Sequence, residues 1–289
     1  MTDLDPHRGV TASRPPELVG LIPAAGSAHR VAPLPCSKEL FPVGFRGLGA
    51  DLRPKPAAQY LLERMARAGV RKAFVVLRDG KWDIPAYFRG GDVVGMDLAY
   101  LLMRRPHGVP FTVDDAYPFL KDSTVVFGFP DIIYWPENAL EWLVERHRSG
   151  GAEMVLGVVP TRRPEKEDLV ELDDRGKIIG IHIKQRGSPL KYTWMLAVWG
   201  PAFTEFMHSF VADAEPEIAA NDGLWQGREL YPGDVLWAAI RHGLSHETVV
   251  FEDGGYIDIG TPDELARAVR EYAASPADER KPGPRKELR

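Results

Sequence analysis

The chain of 289 residues has one cysteine, Cys36, which excludes an internal disulfide and any metal site built from several cysteines. No stretch approaches the roughly 18 consecutive apolar residues that a membrane-spanning helix needs. The first residues, MTDLDPHRGVTASRPPE, are polar and lack the apolar segment of a secretory signal. We therefore expect a cytoplasmic protein with no membrane partner.

An excess of positive charge is also lacking. The chain carries 36 Lys and Arg against 41 Asp and Glu, which gives a formal net charge of −5, and its body has no long block of one sign. A general nucleic-acid-binding protein would present a cationic surface. The sequence therefore predicts no nucleic-acid partner and only locally placed cations.

Two common nucleotide-binding motifs are absent. The chain contains no GxxxxGK[ST] phosphate loop. It also has no GxGxxG followed about 20 residues later by an acidic residue, which an NAD-dependent oxidoreductase would need. The eight histidines form no HExxH or HxH arrangement. An oxidoreductase is therefore disfavoured, and so is a histidine-built metal site.

Apolar runs of strand length alternate with amphipathic helical segments in the first half of the chain. This rhythm predicts an α/β fold with a doubly wound, mostly parallel sheet. The predicted strands are Leu18–Ile22, Lys72–Leu77, Asp97–Met103, Thr124–Phe127 and Ala152–Val159, and the predicted helices are Pro56–Ala68 and Glu137–Arg148.

The pattern changes after Pro160, where tight turns join short strands and predict an antiparallel section. Both ends of the chain, 1–17 and 275–289, are rich in proline and charge, and we predict that they are mobile segments around one domain, 18–274. The later predicted elements are strands at Leu169–Leu172, Lys177–Lys184, Tyr192–Trp199 and Thr248–Phe251, and helices at Gly233–Arg241 and from Pro201 and Pro262.

The stretch Pro23–Arg30, PAAGSAHR, follows the first predicted strand. Small residues at such a turn let backbone N–H groups approach a phosphate. Taken alone, the stretch also fits an ordinary turn between a strand and a loop. Arg30 and Lys38 favour a polyanionic ligand, because guanidinium and ammonium groups are the usual partners of a triphosphate.

Two aspartates are candidate metal ligands. Asp131 follows a predicted strand in GFPDIIYW, at the edge where open α/β sheets bind ligands. Asp258 lies between two isoleucines, where a carboxylate needs a metal, a cation or a hydrogen-bonded network. Carboxylates beside phosphates suit Mg²⁺. Each aspartate is also compatible with a capping role at a nearby turn or helix.

Other charged segments carry less information by themselves. Lys184 and Lys191 flank the turn KQRGSPLK, whose composition is that of a solvated hairpin loop. Glu165–Asp168 is likewise expected to be a solvated turn.

Taken in order, PAAG, SKELFPV, KPAAQYLLERMARAGV, GFPDII and YIDIGTP resemble the sugar-1-phosphate nucleotidylyltransferases, and among these the glucose-1-phosphate thymidylyltransferases. The similarity extends from Leu18 to Tyr272. It implies a Rossmann-like, mostly parallel mixed sheet with a nucleotide-binding core, 18–160, and a small antiparallel acceptor-binding section, 161–274. The implied reaction joins a nucleoside triphosphate and a sugar 1-phosphate to give a nucleotide sugar and pyrophosphate.

The resemblance also implies roles for particular residues. Arg30 and Lys38 would hold the triphosphate and stabilise the leaving pyrophosphate, Asp131 and Asp258 would hold Mg²⁺, and Lys184 would bind the sugar phosphate. The implied nucleotide-binding residues are Pro23, Ala24, Ala25, Gly26, Ser27, Met103 and Gly108.

The sequence departs from the family pattern mainly where base and sugar are recognised. Ile183 stands in place of the sugar-binding glutamate, so a sugar hydroxyl facing it is expected to be left unpaired, which disfavours glucose. The other departures are Ala28 and His29 in the glycine turn, Gly26–Arg30; a spacing from Arg30 to Lys38 that is two residues shorter; Met103 and Phe111 in place of two glutamines; Gln185 in place of a proline; two extra residues before Asp131; and the insertion Gly44–Pro54.

Two functions remain open from the sequence. The first is an active nucleotidyltransferase that uses another hexose 1-phosphate, a modified or cyclitol phosphate, or a phosphonate. The second is a non-catalytic regulatory protein that binds nucleotide or sugar phosphate on the same fold, which the altered glycine turn favours. The resemblance is compatible with a homo-oligomer in either case.

Overall fold

A computed structural model describes residues 16–161 and 163–273. Apart from residues 16 and 17, the ends predicted to be mobile lie outside the described residues. No helix in this part of the chain is long and apolar enough to cross a membrane.

The described chain alternates strands and helices along its first half, as the sequence predicts. The strands are β1 (Leu18–Ala24), β2 (Pro42–Arg46), β3 (Arg53–Pro56), β4 (Lys72–Leu77), β5 (Asp97–Leu102), β6 (Thr124–Gly128), β7 (Ile132–Trp135), β8 (Met154–Pro160), β9 (Asp168–Leu172), β10 (Ile178–Ile183), β11 (Tyr192–Trp199), β12 (His246–Val250) and β13 (Gly255–Asp258). The helices are α1 (Ala57–Arg67), α2 (Asp83–Phe88), α3 (Val109–Asp114), α4 (Tyr117–Leu120), α5 (Ala139–Gly150), α6 (Pro201–Ala220), α7 (Pro232–Arg241) and α8 (Pro262–Ala273), with 3₁₀ turns at Lys38–Leu40, Gly49–Asp51 and Asp92–Val94.

A nine-stranded sheet forms the centre of the fold. Strand β1 lies between β4 and β6 and is parallel to each, and β5 extends the sheet beyond β4. Strand β11 is antiparallel to β6, β8 and β9, and β10 is antiparallel to β9. Because β12 is parallel to β8, only β10 and β11 run against the common direction. The predicted mostly parallel sheet is confirmed, and the predicted antiparallel strands are part of it.

Strand β11 pairs with one strand along one of its edges and with two strands along the other. One of its edges pairs with β8 along its whole length. The opposite edge pairs with β9 at Tyr192–Thr193 and with β6 at Leu196–Trp199. The chain that leaves β6 and the chain that enters β9 therefore meet at the same place beside β11.

Helices cover the central sheet on both faces. Successive side chains along each strand point to opposite faces, so each face carries apolar side chains that a helix can bury. Ile22 packs on one face with Leu61 of α1 and Leu143 of α5. Leu21 packs on the other face, in the cluster that includes α3, α6 and α7. A smaller cluster joins β2, β7, β13 and α8, and it contains Val43, Ile133 and Ile257.

Several predicted bounds agree with the structure. Strands β4 and β11 match their predictions residue for residue, and α6 and α8 begin at Pro201 and Pro262 as expected. The inserted segment 44–54 contributes to a hairpin of β2 and β3, which the sequence analysis did not predict. The pairing of β7 with β13 was also missed, because the two strands are far apart in the sequence.

Gly91 shapes the turn between α2 and β5, and we expect Gly91→Ala to destabilise the fold by about 2 kcal/mol or more. Its φ is +103°, and a Cβ built there would lie 1.9 Å from the backbone oxygen of Met96. Gly90→Ala is the matched control, since a Cβ at Gly90 would have nothing within 4 Å. Denaturant unfolding measures the two variants. Equal losses of stability would contradict this account of the turn.

Candidate active site

The glycine turn lies directly after β1, at the carboxyl edge of the central sheet. The backbone N–H groups of Val31 and Ala32 each donate to the Ala28 carbonyl oxygen at 3.1 Å. Ala28 has a φ of +56°, so this residue adopts the left-handed conformation although it has a Cβ. A Cβ on Gly26 would be 3.5 Å from the Lys38 Nζ, which places the ammonium group of Lys38 beside the turn.

Lys38 forms an ion pair with Asp131, its Nζ donating to Oδ2. Burial alone would lower the pKa of Lys38, but the Asp131 carboxylate outweighs it, so the pKa lies above its ordinary value. For Asp131, burial alone would raise the pKa, and the Lys38 ammonium instead holds it below its ordinary value. The two groups therefore keep each other charged in a partly buried place.

Two contacts from one segment hold the residues on either side of Lys38. The backbone N–H and the hydroxyl of Ser37 donate to the Asp83 carboxylate at 2.6 and 2.7 Å. On the other side, the Lys81 Nζ donates to the two oxygens of Glu39 at 2.7 and 2.8 Å. Lys81 and Glu39 are buried. The segment 81–83 thus fixes the backbone from which Lys38 reaches Asp131.

The ladder between β7 and β13 brings Asp131 and Asp258 together. Asp258 pairs with Ile132, the residue after Asp131, and the Ile259 N–H donates to the Asp131 carbonyl oxygen at 3.1 Å. The Gly260 N–H donates to Asp258 Oδ1 at 2.8 Å. Burial raises the pKa of Asp258, and the neighbouring Asp131 carboxylate raises it further.

The donor set at Asp131 and Asp258 fits a hard divalent cation such as Mg²⁺. Two neighbouring carboxylates repel each other, and Asp258 has no salt bridge within the described residues. Magnesium uses one or two protein carboxylates and completes its shell with water and phosphate oxygens. Among the described residues, no three or more His, Cys, Asp or Glu are grouped to hold a metal, so this is not an all-protein cage.

Arg30 lies beside Asp258. It is exposed, and a Cβ on Gly260 would lie 3.0 Å from an Arg30 terminal nitrogen and 2.9 Å from Asp258 Oδ1. The structure therefore brings together Arg30, Lys38, Asp131, Asp258 and the glycine turn. Cations and carboxylates arranged in this way can bind a phosphate chain and a metal at the same point.

Met103 and Gly108 lie on the loop after β5. The Thr112 hydroxyl contacts the Met103 sulfur at 3.5 Å and the Gly108 carbonyl oxygen at 3.2 Å. Gly108 has a φ of +99°, and a Cβ there would lie 2.8 Å from the Leu230 carbonyl oxygen. Phe111 is fully buried, so its side chain packs in the core and is not available to a ligand.

Two buried carboxylates, Asp114 and Asp115, anchor the loop after β5. The backbone N–H and Nε of Arg104 donate to Asp115 at 2.7 and 2.9 Å, and Arg105 donates to Asp114 at 2.8 Å. This anchor was not predicted, although the pairs Arg104–Arg105 and Asp114–Asp115 are visible in the sequence. The loop that carries Met103 and Gly108 is thus fixed against α3.

Lys184 lies at the end of β10 and faces the start of α7. Its φ is +48°, and its Nζ lies 3.6 Å from the centre of the Tyr231 ring. The contacts of its side chain connect it to neither Asp131 nor Asp258. Its backbone N–H donates to the Glu167 carbonyl oxygen at 2.9 Å, and Glu167 lies near Asp258.

The prediction of a solvated turn at Glu165–Asp168 is wrong for its last two residues. Glu167 is partly buried and accepts a 2.8 Å hydrogen bond from the Tyr256 hydroxyl. Burial, with Asp258 and Asp168 nearby, raises the pKa of Glu167 to about 7. Asp168 begins β9 and accepts from the Gly233 N–H at 3.0 Å. The sequence could not reveal the partners, which lie 65 and 89 residues away.

Lys81→Met is expected to destabilise the protein by about 3–5 kcal/mol, because it leaves the buried Glu39 carboxylate without its partner. The double variant Glu39→Gln/Lys81→Met removes the two charges together and should recover most of that loss. Denaturant unfolding of the single and double variants tests the coupling. A double variant whose loss equals the sum of the single losses would rule it out.

Glu167→Gln is expected to change how stability depends on pH. The fold raises the pKa of Glu167 from 4.5 to about 7, so it favours the protonated group. The stability that Glu167 contributes is complete below pH 4.5 and is lost as the pH rises towards 7. At pH 8 the variant should therefore be more stable than the wild type, by on the order of 1–3 kcal/mol. Thermal unfolding between pH 5 and 8 measures this.

Glu165, the exposed first residue of the segment Glu165–Asp168, provides the control, and Glu165→Gln should leave the profile unchanged. Parallel pH profiles for the wild type and Glu167→Gln would contradict the raised pKa.

A family model described as nucleotidyl transferase matches residues 19–275. A glucose-1-phosphate thymidylyltransferase from Streptomyces antibioticus is 27% identical over 255 residues, which are 86% of this chain and 65% of that protein. A UTP–glucose-1-phosphate uridylyltransferase from Synechocystis sp. is 26% identical over 267 residues, 86% of this chain and 62% of that protein. The chain thus spans less than two thirds of the length of these relatives.

Two solved structures share the fold. One is described as a glucose-1-phosphate thymidylyltransferase from Bacillus anthracis in complex with sucrose; its TM-score is 0.74 at 18% identity, over 89% of this chain and 96% of that one. The other is a UTP-bound UGPase from Acinetobacter baumannii, with a TM-score of 0.66 at 16% identity, over 88% of this chain and 93% of that one.

Proposed function

The chain belongs to the nucleotidyl transferase family, as its sequence motifs predict. We propose that it makes a nucleotide sugar. It transfers a nucleoside monophosphate from a nucleoside triphosphate to a sugar 1-phosphate or a related phosphate acceptor, and pyrophosphate leaves. The observation that carries this proposal is the ion pair of Lys38 and Asp131 beside Asp258, next to the glycine turn at the carboxyl edge of the sheet.

The cations act on the triphosphate. An oxygen of the acceptor phosphate attacks the α-phosphorus, the bond between the α-phosphorus and its bridging oxygen breaks, and the electron pair leaves with pyrophosphate. Arg30 and Lys38 stabilise the negative charge that develops on the leaving group, which is the main electrostatic contribution that a protein can make here. No general base is needed, because the attacking phosphate oxygen is already ionised at neutral pH.

Asp131 and Asp258 would hold Mg²⁺, whose charge would neutralise phosphate oxygens during the transfer. The contribution of this chain is to keep Asp131 ionised through Lys38 and to keep Asp258 close to it through the ladder of β7 and β13. The segment 81–83 positions Lys38 by its contacts with Ser37 and Glu39. Positioning of this kind supplies much of the rate enhancement in phosphoryl-transfer chemistry.

Lys184 would bind the phosphate of the acceptor. Its ammonium group lies over the Tyr231 ring at the start of α7 and has no salt-bridge partner in the described residues. Met103 and Gly108 would lie along the nucleotide, on the loop that Asp114 and Asp115 anchor. Ala28 has a φ of +56°, so its side chain does not prevent a left-handed conformation in the altered glycine turn and is not by itself a reason to prefer the regulatory alternative.

Asp131→Asn and Asp258→Asn are each expected to lower turnover by about 10²–10³-fold while the protein remains folded. Pyrophosphate release, with Mg²⁺ and nucleoside triphosphates crossed with sugar and cyclitol 1-phosphates, measures this. Asp263→Asn, an exposed residue of α8, is the matched control and should keep full activity.

Thermal unfolding of each variant separates a lost site from a lost fold. Unchanged turnover in Asp131→Asn and Asp258→Asn would remove the metal assignment. No release from the wild type with any pair, together with a melting temperature raised by nucleotide, would support the regulatory alternative instead.

A further inference from the structure

Asp168 lies directly across the strand pair from Ile183. The two residues are opposite each other in the antiparallel ladder of β9 and β10. They also lie on the same face, because a Cβ on Gly233 would be 2.7 Å from Asp168 Oδ2 and 2.8 Å from Ile183 Cδ1. A carboxylate from β9 therefore reaches the place that the side chain of Ile183 faces from β10.

The Asp168 carboxylate is held by a neutral donor. The Gly233 N–H, at the start of α7, donates to Oδ2 at 3.0 Å, and the nearby Trp194 side chain acts to lower the pKa of the carboxyl group. No Lys or Arg forms a salt bridge with Asp168 in the part of the chain that the structure describes. An ionised carboxylate offers about four acceptor positions, so capacity remains for a ligand.

A carboxylate in this position has a cost. Burial raises the pKa of Asp168 to about 6, although its hydrogen bonds and the charge of Lys184 act against the shift. A leucine or valine would serve the core of β9 without this cost. Asp168 is nevertheless only partly buried, and the Lys184 ammonium is among the charges that act on it.

We propose that Asp168 is a specificity-determining residue that accepts a hydrogen bond from a hydroxyl group of the acceptor, so that the acceptor is a phosphate ester with a free hydroxyl group near its phosphate. This inference rests on the proposed function, in which Lys184 binds the acceptor phosphate. Asp168 would bind a hydroxyl of the same molecule while its phosphate contacts Lys184. The expectation that Ile183 leaves a sugar hydroxyl unpaired then no longer holds, because the partner comes from the neighbouring strand.

An acceptor without hydrogen-bond donors is disfavoured at Asp168. Charges of both signs act on this carboxylate, namely the cations Lys184 and Arg228 and the carboxylate of Asp234, so charge alone does not select the donor. An acceptor without donors, such as an alkyl phosphonate, would remove water from the carboxylate and offer no hydrogen bond in exchange. A hydroxyl donor avoids this penalty, because it replaces the displaced water with a hydrogen bond to the carboxylate.

The test pairs an Asp168→Ala variant with acceptors that each lack one hydroxyl. The sugar or cyclitol 1-phosphate that gives the fastest pyrophosphate release with the wild type is compared with its monodeoxy analogues. For the wild type, one deoxy analogue should lower kcat/KM by about 10–100-fold, the usual effect of losing a hydrogen bond to a charged group. Asp168→Ala should show a similar loss with the full acceptor and no further loss with that analogue.

Two further variants make the result decisive. Asp168→Asn keeps the shape and an acceptor oxygen, so it should fold and lose less activity than Asp168→Ala. Asp174→Ala removes an exposed carboxylate from the turn between β9 and β10 and should behave as the wild type. Thermal unfolding of all variants precedes the kinetics.

The possible failures can be told apart. If Asp168→Ala shows the same penalty as the wild type with every deoxy analogue, or if a phosphate without hydroxyls is the best acceptor, this inference is wrong and the proposed function stands. If the wild type releases no pyrophosphate with any acceptor, the proposed function and this inference fail together.

Discussion

The repulsion between two neighbouring carboxylates is the constraint on which the site depends. Asp131 and Asp258 are brought together by the ladder of β7 and β13, and Lys38 neutralises only the first of them. The protein meets this constraint by fixing Lys38 through the residues on its two sides, Ser37 and Glu39. Asp258 forms no salt bridge within the described residues, although the charges of Lys38 and Arg30 act on it, and a carboxylate in this state favours a divalent cation beside a phosphate chain.

The two ends of the proposed ligand meet different chemistry. At the phosphate end, the charged groups of Arg30, Lys38 and the two aspartates dominate. Along the loop after β5, Met103 carries a thioether and Phe111 is buried in the core, so in the proposed function neither offers a strong polar group to the base. The same loop is anchored by the ion pairs of Arg104 with Asp115 and of Arg105 with Asp114. The loop is therefore fixed by residues other than those proposed to lie along the nucleotide.

Local patterns predicted most of the fold, and they failed where distant segments meet. The strands β4 and β11 follow from their apolar runs, and the clustering of Arg30, Lys38 and Asp131 follows from the rule that parallel strands end at one edge. The pairing of Glu39 with Lys81 and the position of Asp168 opposite Ile183 depend on register between separate segments, which periodicity does not encode. Glu167 and Asp168, whose partners are distant in the sequence, were therefore predicted to lie in a solvated turn.

The divided edge of β11 attaches the hairpin of β9 and β10 and the strand β6 to the central sheet at separate places. This hairpin carries Asp168 at its start and leads to Lys184 at its end, yet it joins β11 only at Tyr192–Thr193. Strand β6, which leads to Asp131, pairs with the other end of β11. An exchange of the hairpin would have to keep its contacts with Gly233 and Tyr231 at the start of α7, but it would leave the pairing of β6 with β11 in place. In the proposed function, acceptor preference can therefore change within this hairpin while the strand that leads to Asp131 is kept.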